Sequence, residues 1–360
     1  MLRVENLTKK YGNVVALNNV NLSVDRGEYV AIVGPSGCGK TTLIKMISGI
    51  EKPTSGRVFL NGKDVTELPT SERKFGYVFQ NIALFPHMKA GENIAFPLKV
   101  RNLEEREQRR LINEFAVMLG IEKFLNQYPR ELPTGTQQSC GVARALATQN
   151  KLMLLDEPLS ALDARVRKKL RMELRKFMKD FGVTVIHVTH DQEEALAVAD
   201  KVCVMRSGEI LEYGTAQEVY RNPRTLFGAF FVGEMNFIFG KIQMEGENVY
   251  AITECGDKIE VPEKYRELQG EKVVLAIRPE NVRVKEKGLE AEFRETVFFG
   301  SYLEHRFSYC GEKIKMVAYT MTEKFNNGEK ICLHLPKDKI SVYRIPEEGF
   351  TSAISLEKRR

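Results

Sequence analysis

Gly34-Pro35-Ser36-Gly37-Cys38-Gly39-Lys40-Thr41 fits the spacing G-x-x-x-x-G-K-[ST], and its surroundings decide the fold. The apolar run Glu28–Val33 predicts a buried strand directly before it, and Lys40–Ser48 predicts a helix directly after it. A strand that turns through glycines into a helix aims consecutive backbone N–H groups, and the helix N-terminus, at one point suited to phosphate oxygens. Side chains in place of the glycines would obstruct that approach. Lys40 is then expected to reach β- and γ-phosphates, and Thr41 to offer its hydroxyl to Mg²⁺. The Cys38 thiol is expected inside the same cradle, shielded from alkylation by bound nucleotide.

A phosphate loop of this kind needs a carboxylate to complete the metal site. Leu152–Leu155 predicts a second buried strand, and it ends in Asp156-Glu157. Asp156 is expected to hold Mg²⁺ through water, and Glu157 to polarise an attacking water as general base. Val183–Val188 predicts a third strand. Short β-type runs alternate with helical patterns over the first 230 or so residues, which predicts a mostly parallel sheet covered by helices, with ligands at the strand ends. Between about 83 and 150 the strand signal lapses. Leu111, Phe115, Met118 and Leu119 trace a helix stripe there, so a helical subdomain is expected as an insertion.

After Val232 the texture changes to short apolar runs: Val249–Thr253, Val273–Ile277, Thr296–Phe299, Lys313–Ala318 and Lys339–Val342. These predict a small β-barrel or sandwich. With the junction at Gly233–Asn236, the domains are expected at 1–233 and 236–360.

The 360 residues, 43% hydrophobic and 28% charged, describe a folded chain of more than one domain. No apolar run approaches the roughly 18 to 20 residues that cross a bilayer, and Met1–Lys10 lacks the layout of a secretion signal, so a cytoplasmic location is expected. Six cysteines show no C-x-x-C pair and are expected to be reduced thiols. A net charge of +6, from 54 basic and 48 acidic residues, is too small for this length to argue for nucleic acid or lipid without a concentrated patch, and no nucleic-acid partner is expected. The densest basic stretch, Arg165–Lys179, carries Val166, Leu170, Leu174, Phe177 and Met178 at helical spacing. Its basic residues are expected on a solvated outer face.

These motifs together resemble the ATP-binding subunits of ABC importers. Gly34–Thr42 resembles their Walker A loop, Leu152–Glu157 the Walker B strand, and Ser160-Ala161-Leu162-Asp163 the D-loop. Val78-Phe79-Gln80-Asn81 resembles the Q-loop, and Val188-Thr189-His190-Asp191 the switch histidine. The resemblance implies an ABC-type P-loop ATPase that binds ATP and Mg²⁺ and dimerises on ATP. It implies that Thr42 joins residues 34–41 at the nucleotide, that Tyr11 stacks on adenine and that Asp163 lies at the site. Gln80 would sense Mg²⁺ and the γ-phosphate, and His190 would hold the γ-phosphate during attack.

One family element is irregular. Where the family shows L-S-G-G-Q, this chain reads Leu132-Pro133-Thr134-Gly135-Thr136-Gln137. Counting back from Arg144-Ala145-Leu146 puts Pro133 at the serine position, whereas a one-residue slip aligns Thr134-Gly135-Thr136-Gln137 with S-G-G-Q. The slip retains a hydroxyl at a helix N-terminus and is the preferred reading. Either way a glycine becomes threonine where the backbone approaches phosphate, which implies slower hydrolysis.

The C-terminal region resembles the OB-like TOBE barrels of such importers, through Ala276–Val282, Phe298–Ser301 and Lys337–Ile340. A structural role is expected for Arg278. Phe231–Asn236 leans toward the polyamine and ferric-iron branch over the sugar branch. The resemblance implies a second ATPase subunit, expected to be a second copy, and transmembrane permease subunits that hold the chain at the inner face of the membrane. A solute-binding protein would act indirectly. The expected permease-docking surface is Leu84, Phe85, Pro86 and His87.

Overall fold

Val30, Ala31, Ile32 and Val33 are all buried because their strand lies in the middle of a sheet covered on both faces. The computed structural model describes residues 1–81, 83–320 and 324–356. It divides into two units, Met1–Gln217 and Glu218–Arg360. Gly233–Asn236 lies within the second of these. There the buried Arg278 donates to the Tyr220 carbonyl at 2.8 Å and the Glu234 carbonyl at 2.8 Å, and its guanidinium covers the Tyr220 ring.

In the first unit, β1 (Leu2–Tyr11), β2 (Val14–Val24), β4 (Ser55–Leu60) and β5 (Lys63–Asp64) form an antiparallel sheet ordered β2-β1-β4-β5. The sequence reading did not separate this sheet from the parallel one. The strands β3 (Tyr29–Val33), β6 (Gly76–Val78), β7 (Leu152–Asp156), β8 (Thr184–Val188), β9 (Lys201–Arg206) and β10 (Glu209–Thr215) form the second sheet, ordered β10-β9-β3-β8-β7-β6. It is parallel from β9 to β6, with β10 antiparallel at one edge. Helix α1 (Lys40–Ser48) buries Leu43, Ile44, Met46 and Ile47 in the core shared by the two sheets. Among the described residues three α-helices lie between β6 and β7: α2 (Ala90–Val100), α3 (Glu105–Leu119) and α4 (Thr134–Leu146). On α3 Leu111, Phe115 and Leu119 of the expected stripe are buried, and Met118 is half-buried.

Helix α5 (Ala164–Asp180) corrects the expectation of a wholly solvated basic face. Arg165, Lys168, Lys169 and Lys176 are exposed, but Arg167, Arg171 and Arg175, at i, i+4 and i+8, are half-buried against other elements, and the exposed Lys179 one turn further on also reaches one of them. Arg167 donates to the Ser160 and Leu162 carbonyls, Arg171 to Asp191 at 3.1 Å, and both Arg175 and Lys179 to Asp200. Asp191 in turn caps α6 (Gln192–Val198) by accepting from the Glu194 amide. Leu170, Leu174 and Met178 are buried, whereas Val166 is exposed.

The chain continues through α7 (Ala216–Arg221) and α8 (Leu226–Phe231). The second unit pairs two antiparallel sheets around one core. One is built from β11 (Asn236–Glu245), β12 (Asn248–Thr253), β13 (Lys258–Val261), β14 (Lys272–Ile277) and β19 (Ser341–Arg344). The other is built from β15 (Arg283–Phe298), β16 (Leu303–Tyr309), β17 (Glu312–Ala318) and β18 (Lys330–His334). Thr296–Phe298 ends the long β15, with Phe299 beyond it, and Lys339 closes a 3₁₀ turn ahead of β19 rather than opening a strand.

The six-thiol expectation is also corrected. Cys255, in the turn after β12, forms a disulfide with Cys310, in the turn between β16 and β17. The two turns belong to different sheets and meet because the Tyr309 hydroxyl reaches Thr253 at 2.7 Å and Asp257 at 2.6 Å beside them. Cys38, Cys140, Cys203 and Cys332 are free thiols.

Candidate active site

The loop after β3 has the backbone that its glycines predict. Gly37 and Gly39 hold φ of 76° and 108°, a region that L side chains rarely adopt. A Cβ at Gly34 would lie 2.3 Å from the Met205 carbonyl oxygen, and one at Gly39 would lie 2.7 Å from that of Ala16. The loop is therefore pressed against its own unit on the inside, which leaves its other side for a ligand. Lys40 is nearly buried, and its ammonium donates to the Gly34 and Pro35 carbonyls at 2.7 and 2.8 Å. A cation thus stands in the curl of the loop, suited to a polyphosphate.

Cys38 departs from expectation. Its side chain is buried in the core beneath the loop, and burial pushes its thiol pKa up. Its sulfur still lies 3.8 Å from the Lys40 ammonium, but it is packed among the apolar side chains of the core rather than open to a ligand.

Strand β7 delivers the carboxylates. The Thr41 hydroxyl lies 3.4 Å from Asp156 Oδ1, so a hydroxyl and a carboxylate meet beside Lys40. Burial, with the Glu157 charge next to it, raises the Asp156 pKa to about 6. This all-oxygen pair suits a hard divalent cation that keeps several waters and phosphate oxygens as its remaining ligands.

Glu157 is the point of convergence. Gln80 Nε2 donates to its Oε2 at 3.2 Å, and His190 Nδ1 lies 3.1 Å from its Oε1. The sequence placed these three residues in separate motifs, and the parallel order β8-β7-β6 brings the motif ends side by side. His190 follows β8 on a segment fastened by Thr189, whose hydroxyl donates to the nearly buried Glu194 at 2.8 Å. A carboxylate with one partner on each oxygen retains lone pairs for a water proton.

The remaining predicted residues sit around this cluster. Tyr11 ends β1 with its ring half-exposed. Its hydroxyl donates to Glu51, and Lys9 covers one ring face at 5.0 Å. Burial and Glu51 raise the Tyr11 pKa, and a hydrogen bond with Thr42 links it to α1. Thr134 opens α4, after Pro133 in extended backbone. Thr134 and Gln137 border a concavity of about 410 Å³ with Gln80, Asn81, Ser160 and Ala161. Gly135 approaches Leu162, where a Cβ would lie 2.9 Å from the side chain. Asp163 caps α5 by accepting from the Arg165 and Val166 amides at 3.1 and 3.0 Å, so its carboxylate is committed to the helix. Leu84 is buried and Phe85 packs on Phe96, whereas Pro86 and His87 are exposed. The buried Asn93 clamps this segment through Phe85 and Met88.

Comparison with known proteins matches this geometry. Residues 17–160 fit the sequence pattern described as ABC transporter, and residues 275–342 that described as TOBE domain. A spermidine/putrescine import ATP-binding protein, PotA, of Thermotoga maritima is 40% identical over 358 residues, 96% of both chains. The chain belongs to the ATP-binding subunits of ABC importers. A further relative is an Fe(3+) ions import ATP-binding protein, FbpC, of Brucella abortus, 40% identical over 304 residues, 84% of this chain and 86% of that one. Among solved structures, the dimeric ATP-binding cassette MJ0796 bound to ADP and Pi covers 60% of this chain and 99% of its own at TM-score 0.56 and 34% identity. The protein is therefore an ABC-type ATPase. Among the described residues no helix is long and apolar enough to cross a membrane.

The sequence reading missed Gln138. This nearly buried side chain joins α4 to Glu157 and to residues 160–161. A polar residue directly after the irregular motif was the available signal.

Proposed function

We propose that this ATPase hydrolyses ATP across a dimer of two copies of the chain, with Glu157 as the general base, and so energises import through separate permease subunits at the inner face of the membrane. The observation that carries this reading is the convergence of Gln80 and His190 on the two oxygens of the Glu157 carboxylate.

Residues 34–42 bind the triphosphate through backbone N–H groups, and Lys40 leaves the loop carbonyls for the β- and γ-oxygens. Thr41 and Asp156, with Gln80 alongside, would hold Mg²⁺, which when bound neutralises charge on the phosphates. Glu157 takes the proton from the attacking water, and His190 holds the γ-phosphate in line. Tyr11 bears on adenine once Lys9 swings off its ring. Thr134-Gly135-Thr136-Gln137, at the start of α4, address the nucleotide of the opposite subunit. Loss of the γ-phosphate removes the contacts that hold the halves together.

The names of the relatives support an organic polycation or ferric iron as cargo, in keeping with the lean of Phe231–Asn236; a solute-binding protein would act indirectly. The test is Glu157→Gln: turnover should be lost while an ATP-bound dimer accumulates on size exclusion. Turnover at the wild-type rate would overturn the assignment of the base.

A further inference from the structure

Glu157 stands in a costly backbone conformation. Its φ is 48°, a left-handed value that an L residue with a long side chain adopts only when its surroundings enforce it. Three bonds from neighbouring backbone and side chain help: the Glu157 amide donates to the Val188 carbonyl at 2.9 Å, and the Ser160 amide and hydroxyl donate to the Glu157 carbonyl at 3.3 and 3.1 Å. The fourth comes from another subdomain. Gln138, 3% exposed, donates through Nε2 to the same Glu157 carbonyl at 3.2 Å and to the Ser160 hydroxyl at 3.3 Å. Its Oε1 accepts from the Ala161 amide at 2.8 Å.

These partners fix the orientation of the Gln138 amide. Two acceptors face its NH₂ group and one donor faces its oxygen, so the reversed placement would set oxygen against oxygen and N–H against N–H. The side chain is fully engaged, and every bond it makes falls on residues 157 to 161.

We propose that Gln138 is the positioning residue for Glu157: from α4 it holds the turn after β7 in its left-handed form, so that the carboxylate meets Gln80 and His190 rather than swinging away. The inference rests on the reading of Glu157 as general base. Because Gln138 lies four residues after Thr134 on the same helix face, the helix that addresses one nucleotide also sets the base for the other.

The test uses the full-length ATPase. Gln138→Met keeps the volume and removes donor and acceptor. Its kcat is expected to fall on the order of tenfold or more, as for a displaced catalytic group, with KM for ATP within about twofold because residues 34–42 are untouched. Gln138→Glu keeps the acceptor for Ala161 but sets a carboxylate against the Glu157 carbonyl. It is expected to be equally slow, while Ala161 keeps its amide-exchange protection, which the methionine variant loses. A folded Gln138→Met with wild-type kcat, or a fast Gln138→Glu, overturns the proposal. If the methionine variant does not fold, the glutamate variant carries the test. Glu157→Gln is assayed beside them. If it turns over normally, the general-base reading fails and this inference with it. If it is inactive while Gln138→Met is normal, only this inference fails.

Discussion

Replacing Asp156 by Asn is predicted to make the nucleotide-free ATPase more stable while abolishing its turnover. Asp156 is 3% exposed, and burial with the adjacent Glu157 charge raises its pKa from 3.8 to about 6, against the opposing pull of Thr41, Lys40 and Lys45. A raised carboxylate pKa means that the ionised form is held at a cost. At about 1.4 kcal/mol per unit, that cost is about 3 kcal/mol above pH 6. The folded chain binds this proton more tightly than the unfolded chain does, so the group favours folding at low pH, and that contribution is lost as pH rises through 6. Asn carries no charge to desolvate. The variant should therefore exceed the wild type by about 3 kcal/mol at pH 8, with the gap shrinking through pH 6 and closing near pH 4. Urea unfolding of both proteins at pH 8, 6 and 5, without nucleotide or metal, measures the difference. A variant no more stable at pH 8, or a gap unchanged between pH 8 and 5, would refute the reasoning.

Arg171→Ala leaves Asp191 and the nearly buried Glu194 without their cation and should cost about 3–5 kcal/mol in chemical unfolding, whereas the exposed Lys168→Ala should stay within about 0.5 kcal/mol. Thr134→Ser combined with Thr136→Gly should raise steady-state turnover by restoring a close approach to phosphate, and an unchanged rate would remove the irregular motif as a brake. Cys38, buried with a raised pKa, should react slowly with iodoacetamide whether or not ATP is present, as followed by mass spectrometry.

Local patterns carried the sequence reading where one segment makes its own structure. The run at Glu28–Val33 becomes β3, and Lys40–Ser48 becomes α1 with both ends where the glycines put them. The side of a helix that meets a partner is another matter. Arg167, Arg171, Arg175 and Lys179 look like a solvated stripe until Asp191 and Asp200 arrive from other elements. Pairing over distance hides in the same way. Cys255 and Cys310 are 55 residues apart on turns of different sheets, and Gln138 reaches Glu157 from a helical insertion. The loop at Gly34–Gly39 was legible in its backbone but not in the inward turn of Cys38, because spacing fixes φ and leaves side-chain direction to packing.

The central claim is that residues 34–42 grip a triphosphate next to the metal-holding carboxylate. Calorimetric titration of the Glu157→Gln protein, which does not consume the ligand, tests it most directly. With ATP and Mg²⁺ the account predicts saturable binding that weakens on omitting the metal and is lost on adding Lys40→Ala. Heat release that is absent, or that persists unchanged without Lys40 and without magnesium, would contradict it.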